Sequence, residues 1–443
     1  MRTILSITLF VIFIFKSLYS QEHLSDFEKN WPQWRGPYAT GIAPTGNPPV
    51  EWDENKNIKW KVKIPGKGHA TPAVWGNQII LLTAIPTGEK VEQEESDDQE
   101  QSWMSPTNPD RVHNFVVLSV DRNSGKIQWQ TTVREELPHS KTHQFGSWAS
   151  NSPVTDGKNI YAYYGSHGLY CLDMNGTILW ERDFGKMEKV MSFGEGSSPV
   201  LYKDNLIILR DHQGQSALFL LDTKTGKDIW KVDRDEPSTW VTPFVVEYEG
   251  KTQIIVSATN KIRSYDMASG DVLWECSGMT RNVIPMPVID DGIIYIMSGF
   301  RGSALLAIDL SKAKGDITDT EAVIWKYNQD TPYTPSPLLM DDKLYFLKGN
   351  RGTLTCLDVR NGKEYFTSQT LEGIQDVFAS PVGIQDRIYF PGANGTFSVV
   401  KSGSAFEVIS TNTLEDGFHA SPVIIGNNLY LRGFKHLYCI SEE

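Results

Sequence analysis

The chain has 443 residues, and its 42 Lys and Arg stand against 54 Asp and Glu, a formal charge of −12 at pH 7. Nothing in it forms a basic stripe, so the charge argues against a nucleic-acid partner. A length of this order suggests about three domains, an expectation that the internal repeats set aside.

Arg2 precedes the apolar run ILSITLFVIFIF, and small polar residues follow before Gln21. This pattern is too short for a stable membrane span and predicts a cleavable secretory signal over residues 1–20. The expected location is therefore periplasmic or secreted, with no transmembrane span after cleavage. No Cys lies near the expected cut, so lipid attachment is not supported. Residues 21–56 read as an irregular N-terminal arm, and NIKWKVKIP (57–65) alternates apolar and polar residues around Trp60.

From residue 57 to 443 one unit recurs. Each copy is led by a Pro motif (TPAV, SPVT, SPVL, TPFV, MPVI, SPLL, SPVG, SPVI), with prolines at 72, 153, 199, 243, 287, 337, 381 and 422. Short β-branched and apolar runs follow, separated by Gly, Asn and Asp turns, which reads as four antiparallel strands. Most copies carry a hairpin such as LLDTKTGKDIW (220–230). Its Asp accepts backbone hydrogen bonds and its Gly takes the positive φ of the turn. An aromatic residue stands eight positions after the Asp in four of the six complete hairpins, as in Asp222 to Trp230. A period of about 40 to 50 residues with four strands per unit predicts an all-β, eight-bladed β-propeller of four-stranded antiparallel blades.

The last unit supplies only three strands, and the strand around Trp60 is expected to close the final blade and remove its free edge. An acidic loop insertion at 86–114, containing EKVEQEESDDQE, interrupts the first blade. Trp129, Trp180, Trp230, Trp274 and Trp325 read as packing residues between blades. Cys171, Cys276, Cys356 and Cys439 read as small core residues, placed too far apart to bridge.

In a propeller the loops leading into each first strand share a face with the loops joining second to third strands. The Asp-Gly hairpins open on the other face. The lead-in loops are not repetitive, and near the prolines they offer His69, Trp148, Asn151, Glu195, Trp240, Arg281, Tyr333, Asp376 and His419. Polar and aromatic groups converging at a channel mouth predict a site for a small-molecule ligand or sugar. A protein partner docked on this face is the alternative. HSKTH (139–143) has two histidines four apart, but no third zinc ligand is identifiable nearby.

The Asp-x-x-x-Gly-x-x-x-Trp hairpins, together with NWPQWRGP at 30–37, resemble the repeats of pyrroloquinoline quinone (PQQ) dehydrogenases and of exported PQQ-binding-like propellers. The same repeats build the outer-membrane assembly factor BamB. The dehydrogenase resemblance implies PQQ and Ca²⁺ as cofactors and oxidation of an alcohol, a sugar or a polysaccharide-derived substrate. By loop position it implies Glu195 and Asn151 as Ca²⁺ ligands, Asp376 as catalytic base and Arg281 beside the quinone oxygens. Trp240 would be the stacking platform, and Trp148, His69, His419 and Tyr333 would complete the cofactor pocket. The chain lacks the adjacent Cys pair of alcohol-oxidising members and any CxxCH haem motif. The BamB resemblance implies a non-catalytic ligand-binding or scaffold propeller.

Overall fold

The computed structural model describes residues 24–88, 90–91 and 106–442. The expected signal and most of the acidic insertion lie outside these residues.

Eight sheets are arranged as blades, each ordered from an inner to an outer strand. Blade 3 shows how the sequence builds one. It consists of Val200–Tyr202, Asn205–Arg210, Ser216–Asp222 and Asp228–Arg234. The two middle strands, NLIILR and SALFLLD, are buried almost throughout because neighbouring blades cover both faces. Their continuous apolar runs follow from that double burial. The outer strand DIWKVDR alternates between exposed and half-buried residues from Ile229 to Asp233 and ends on the buried Arg234.

Blade 8 closes as the sequence predicts. Its own strands are Val423–Ile425, Asn428–Arg432 and His436–Ile440, and Ile58–Lys63 adds the fourth, with Trp60 opposite Cys439. Blade 4 carries an addition that the repeat pattern does not show. Gly315–Asp316, from the insertion in blade 5, pairs in parallel with the outer strand Val272–Cys276.

The repeated hairpin is a socket for the preceding blade. Trp180 of blade 2 donates its indole N–H to the carbonyl of Thr223, one residue past the Asp of the blade 3 hairpin, at 3.0 Å. Its ring lies over Gly226, where φ is +66° and a Cβ would come within 2.7 Å of the indole. Only glycine meets both demands. Asp222 holds the turn by accepting from the Thr225 amide at 2.8 Å and hydroxyl at 2.7 Å. The same indole bond joins Trp60 to Arg122, Trp129 to Met174, Trp230 to Met267 and Trp325 to Val359. Trp274 departs from the rule and donates to Gln253 Oε1 within its own blade. The hairpin facing it continues into a 3-10 turn at Leu310–Lys312 and offers no such glycine.

The residue before each leading proline forms a second circle. The amide of each donates to the hydroxyl of the next: Thr71 to Ser152, Ser152 to Ser198, Ser198 to Thr242, and across the closure Ser421 to Thr71, at 2.9 to 3.1 Å. Met286 donates to Ser336, Ser336 to Ser380 and Ser380 to Ser421. The circle lacks one step, from Thr242, because Met286 offers no hydroxyl.

The N-terminal arm fills the middle of the ring. Trp31 exchanges backbone hydrogen bonds with Val74 of blade 1, and Ala43 donates to Gly383 of blade 7. Between them Arg35, 1 % exposed, donates to the carbonyls of Ala39, Thr40 and Pro337. Burial pushes its guanidinium down to about 9. The four cysteines are buried and free.

Trp180→Ala is expected to cost about 3–5 kcal/mol in denaturant unfolding, through loss of a large packed side chain. Ser380→Ala should cost about 1–3 kcal/mol by leaving the Ser336 amide unpaired. Ile229→Ala, on the exposed side of an outer strand, should stay within about 0.5 kcal/mol of the parent. Equal costs for Trp180→Ala and Ile229→Ala would remove the docking role.

Candidate functional site

A cavity of about 430 Å³ sits on the lead-in face. Its floor is the hydroxyl circle itself, through Thr71, Ser152, Ser198 and Ser421, and Trp34 of the arm, which donates to Ser421 Oγ at 3.3 Å. The polar groups of the floor therefore already serve the fold, and ligand chemistry falls to the loops above.

Those loops raise an arc of rings. Trp240, Phe193, His143, Phe145, Phe378, His419 and His69 follow one another with adjacent centroids 4.5 to 6.3 Å apart. Phe145 belongs to the loop leading into blade 2, yet it meets blades 7 and 8: its carbonyl accepts from His419 Nδ1 at 3.0 Å and its ring lies against Phe378. The loop tip thus crosses the mouth. Phe145 itself is 45 % exposed.

Six of the nine residues singled out from the sequence line this cavity: His69, Glu195, Trp240, Tyr333, Asp376 and His419. Glu195 is held by the turn at Gly165–His167, with one oxygen accepting from the Ser166 amide at 2.6 Å and the other from its hydroxyl at 2.5 Å. A Cβ on Gly165 would collide with that carboxylate. Trp240 donates to the Gly194 carbonyl at 2.8 Å, and the Lys189 ammonium stands 5.1 Å from its ring centre. Burial pushes Lys189 down to about 8, against the pull of Glu195 and Asp211. Tyr333 packs on Phe300 at 4.8 Å, and burial raises its hydroxyl to about 12. Asp376 is exposed at the rim, and its carboxylate has no hydrogen-bond partner among the described residues.

The other three lie elsewhere. Asn151 is buried between blades 2 and 3 and gives its amide to the Ser197 carbonyl at 2.6 Å. Trp148 donates to Ser140 O and packs on His113 outside the wall. Arg281 is exposed. Asn151 and Glu195 therefore do not meet as a cation site: the Asn side chain serves a seam, and both Glu oxygens are engaged by Ser166. Among the described residues no group of three His, Cys, Asp or Glu is placed to hold a metal, and HSKTH forms no zinc site. The wall also contains no Lys or Arg, whereas PQQ bears three carboxylates. These residues do not fit PQQ with Ca²⁺.

Two polar atoms in the wall were not singled out as such. Thr142 Oγ1 and His69 Nε2 are buried and lack a hydrogen-bond partner among the described residues. Thr142 and Phe145 escape a reading that favours residues close to each proline, because their loop folds back over the axis. The usable signal was a phenylalanine recurring in the lead-in loops, at 145, 193 and 378.

The comparisons agree on architecture. A family model described as outer membrane protein assembly factor BamB matches residues 113–368. The BamB of Shewanella oneidensis is 21% identical over 328 residues, which cover 71% of this chain and 76% of that protein. The crystal structure of BamB from Moraxella catarrhalis is similar with a TM-score of 0.52 at 14% identity, covering 79% of this chain and 99% of that one. A europium-containing methanol dehydrogenase reaches a TM-score of 0.63 at 12% identity, covering 93% and 91%. At such identities the structural likenesses show the fold alone.

Burial holds His419 down at about 4 and His69 well below its ordinary value. In the unfolded chain both bind protons near pH 6.5. The unfolded state therefore takes up more protons as pH falls from about 6.5 toward 4, and stability declines across that window. His419→Asn should reduce the slope of unfolding free energy against pH between about 6.5 and 5. An unchanged slope would show that His419 is not held neutral.

Proposed function

The chain belongs to the family described as outer membrane protein assembly factor BamB, and from that premise we propose that it is a binding propeller whose axial cavity takes a small uncharged hydroxylated molecule of the sugar class. The observation that carries this reading is the pair of buried, unpartnered polar atoms, Thr142 Oγ1 and His69 Nε2, on residues of a cavity wall that also carries an arc of rings. Buried polar groups are normally paired, and a ligand hydroxyl between aromatic faces would pair them. Histidines held neutral favour an uncharged partner over an anionic one. The rim carboxylate of Asp376 supplies a further acceptor for ligand hydroxyls.

A PQQ-dependent oxidation receives less support, since the wall has no cation to receive the cofactor's carboxylates and Asn151 is committed to a seam. Asp376 and Arg281 accordingly have no assigned catalytic step. The name of the family favours a second reading, a protein segment docked on the same face, and the exposed Phe145 ring at the mouth suits it. Export to the periplasm or beyond rests on the apolar run near the N-terminus and on the outer-membrane assembly role in the relatives' name. Among the described residues no helix is long and apolar enough to cross a membrane.

The test is calorimetric titration with a panel of neutral mono- and disaccharides and, separately, PQQ with Ca²⁺. A sugar should bind, and Thr142→Val or Trp240→Ala should weaken it by about 1–3 kcal/mol, roughly five- to 150-fold, without lowering the melting temperature as Trp180→Ala does. Binding of PQQ with Ca²⁺ and of no sugar would overturn the reading.

A further inference from the structure

Four arginines among the described residues are exposed, and of these Arg360 is paired, with Asp358 Oδ2 at 2.7 Å. The side chains of the other three, Arg281, Arg301 and Arg351, form neither a hydrogen bond nor an ion pair among the described residues. All three stand on the lead-in face. Arg281 precedes the first strand of blade 5, Arg301 lies between the second and third strands of that blade, and Arg351 lies between the second and third strands of blade 6. A chain of net charge −12 does not collect free cations on one arc through composition alone.

The arc is continuous with the cavity. The Arg301 guanidinium stands 5.3 Å from the Phe300 ring centre, and Phe300 packs on Tyr333 of the cavity wall at 4.8 Å. The Tyr333 amide donates to the Gly349 carbonyl at 3.1 Å, in the loop that carries Asn350 of the wall and then Arg351. The Arg281 loop abuts the Arg301 loop: the Thr280 amide donates to Ser298 Oγ at 2.8 Å, and a Cβ on Gly302 would lie 3.1 Å from Thr280 Cγ2. The acids of this arc leave the arginines free. Asp330 is held by Lys348 at 2.8 Å and Ser368 at 2.7 Å. Asp376 faces Arg351 across a backbone bridge without an ion pair, so it opposes an anion at that end and not beside Arg281 and Arg301.

Building on the sugar reading of the cavity, we infer that the ligand is an acidic oligosaccharide: one neutral residue enters the cavity, and the carboxylate or sulfate of the residue beyond it lies against Arg281 and Arg301 at the lip. A planar guanidinium pairs such oxygens through two parallel hydrogen bonds. The arginines stand outside the wall, so they reach the part of a ligand that projects from the cavity and not the part enclosed in it. The site therefore favours a chain over a single sugar, and an acidic chain over a neutral one.

The test is calorimetric titration of the full chain with short oligomers of galacturonate and of sulfated galactose. Each is paired with its neutral counterpart, the carboxylates reduced or the sulfates removed. The acidic member of one pair should bind about tenfold more tightly than the neutral one, and the pair that shows this identifies the acid group. The preference should fade toward parity at about 0.5 M sodium chloride, because exposed charges are screened. In the double variant Arg281→Gln, Arg301→Gln the ratio of acidic to neutral affinity should fall to near one, whereas Arg360→Gln, on the opposite face, should keep the parent ratio. Neutral oligomers that bind as tightly as acidic ones, or a preference undiminished in the double variant, would overturn the inference and leave the sugar reading of the cavity standing. Absence of binding by every oligomer would overturn both, and binding of a peptide rich in Asp and Glu in their place would assign the arginines to a protein partner.

Discussion

The hydrogen bond from the amide before one leading proline to the hydroxyl before the next is the constraint on which the rest of this ring depends. It repeats seven times among eight blades and holds the inner strands at a fixed spacing around the axis. Tryptophans docked on neighbouring hairpins do the equivalent work at the outer rim. Both sets of contacts run only between adjacent blades, as in other repeat architectures. Closure is therefore decided at one seam, by Ser421 bonding Thr71 inside and Trp60 reaching Arg122 outside.

This division of labour shapes the site. The hydroxyls beneath the cavity are spent on the ring, so a substitution there disturbs the fold before it disturbs a ligand. The loops above carry no such duty and are free to present rings, two carboxylates and histidines. The arm seals the middle of the ring, with Arg35 satisfying three carbonyls, and turns what would be a channel into a closed-bottom pocket. A pocket closed below and crossed above by Phe145 can exclude water from a small ligand, which is the condition under which Thr142 and His69 would give specificity.

The repeated features were the legible ones. The step from Asp222 to Trp230 recurs because socket and plug must coincide in every blade, and Trp60 could be placed beside blade 8 on that rule alone. The lead-in loops gave their face but not their geometry. Asn151 and Glu195 both precede a leading proline, yet one turns into a seam and the other toward the axis, a difference of backbone direction that residue type does not encode. Arg281 is an exposed loop residue for the same reason. The arm was invisible as a plug because its contacts are with strands hundreds of residues away, such as Ala43 with Gly383. Trp274 kept the spacing but lost its socket when blade 5 acquired an insertion.

The most direct test of the ring is native-state hydrogen exchange of the seven donating amides, those of Thr71, Ser152, Ser198, Met286, Ser336, Ser380 and Ser421. If this circle of seven links governs the fold, all seven amides exchange only through global unfolding and report the same opening free energy. Faster exchange of the Ser421 and Thr71 amides, at an opening free energy well below the other five, would show that the seam between blades 8 and 1 opens by itself and would contradict the account.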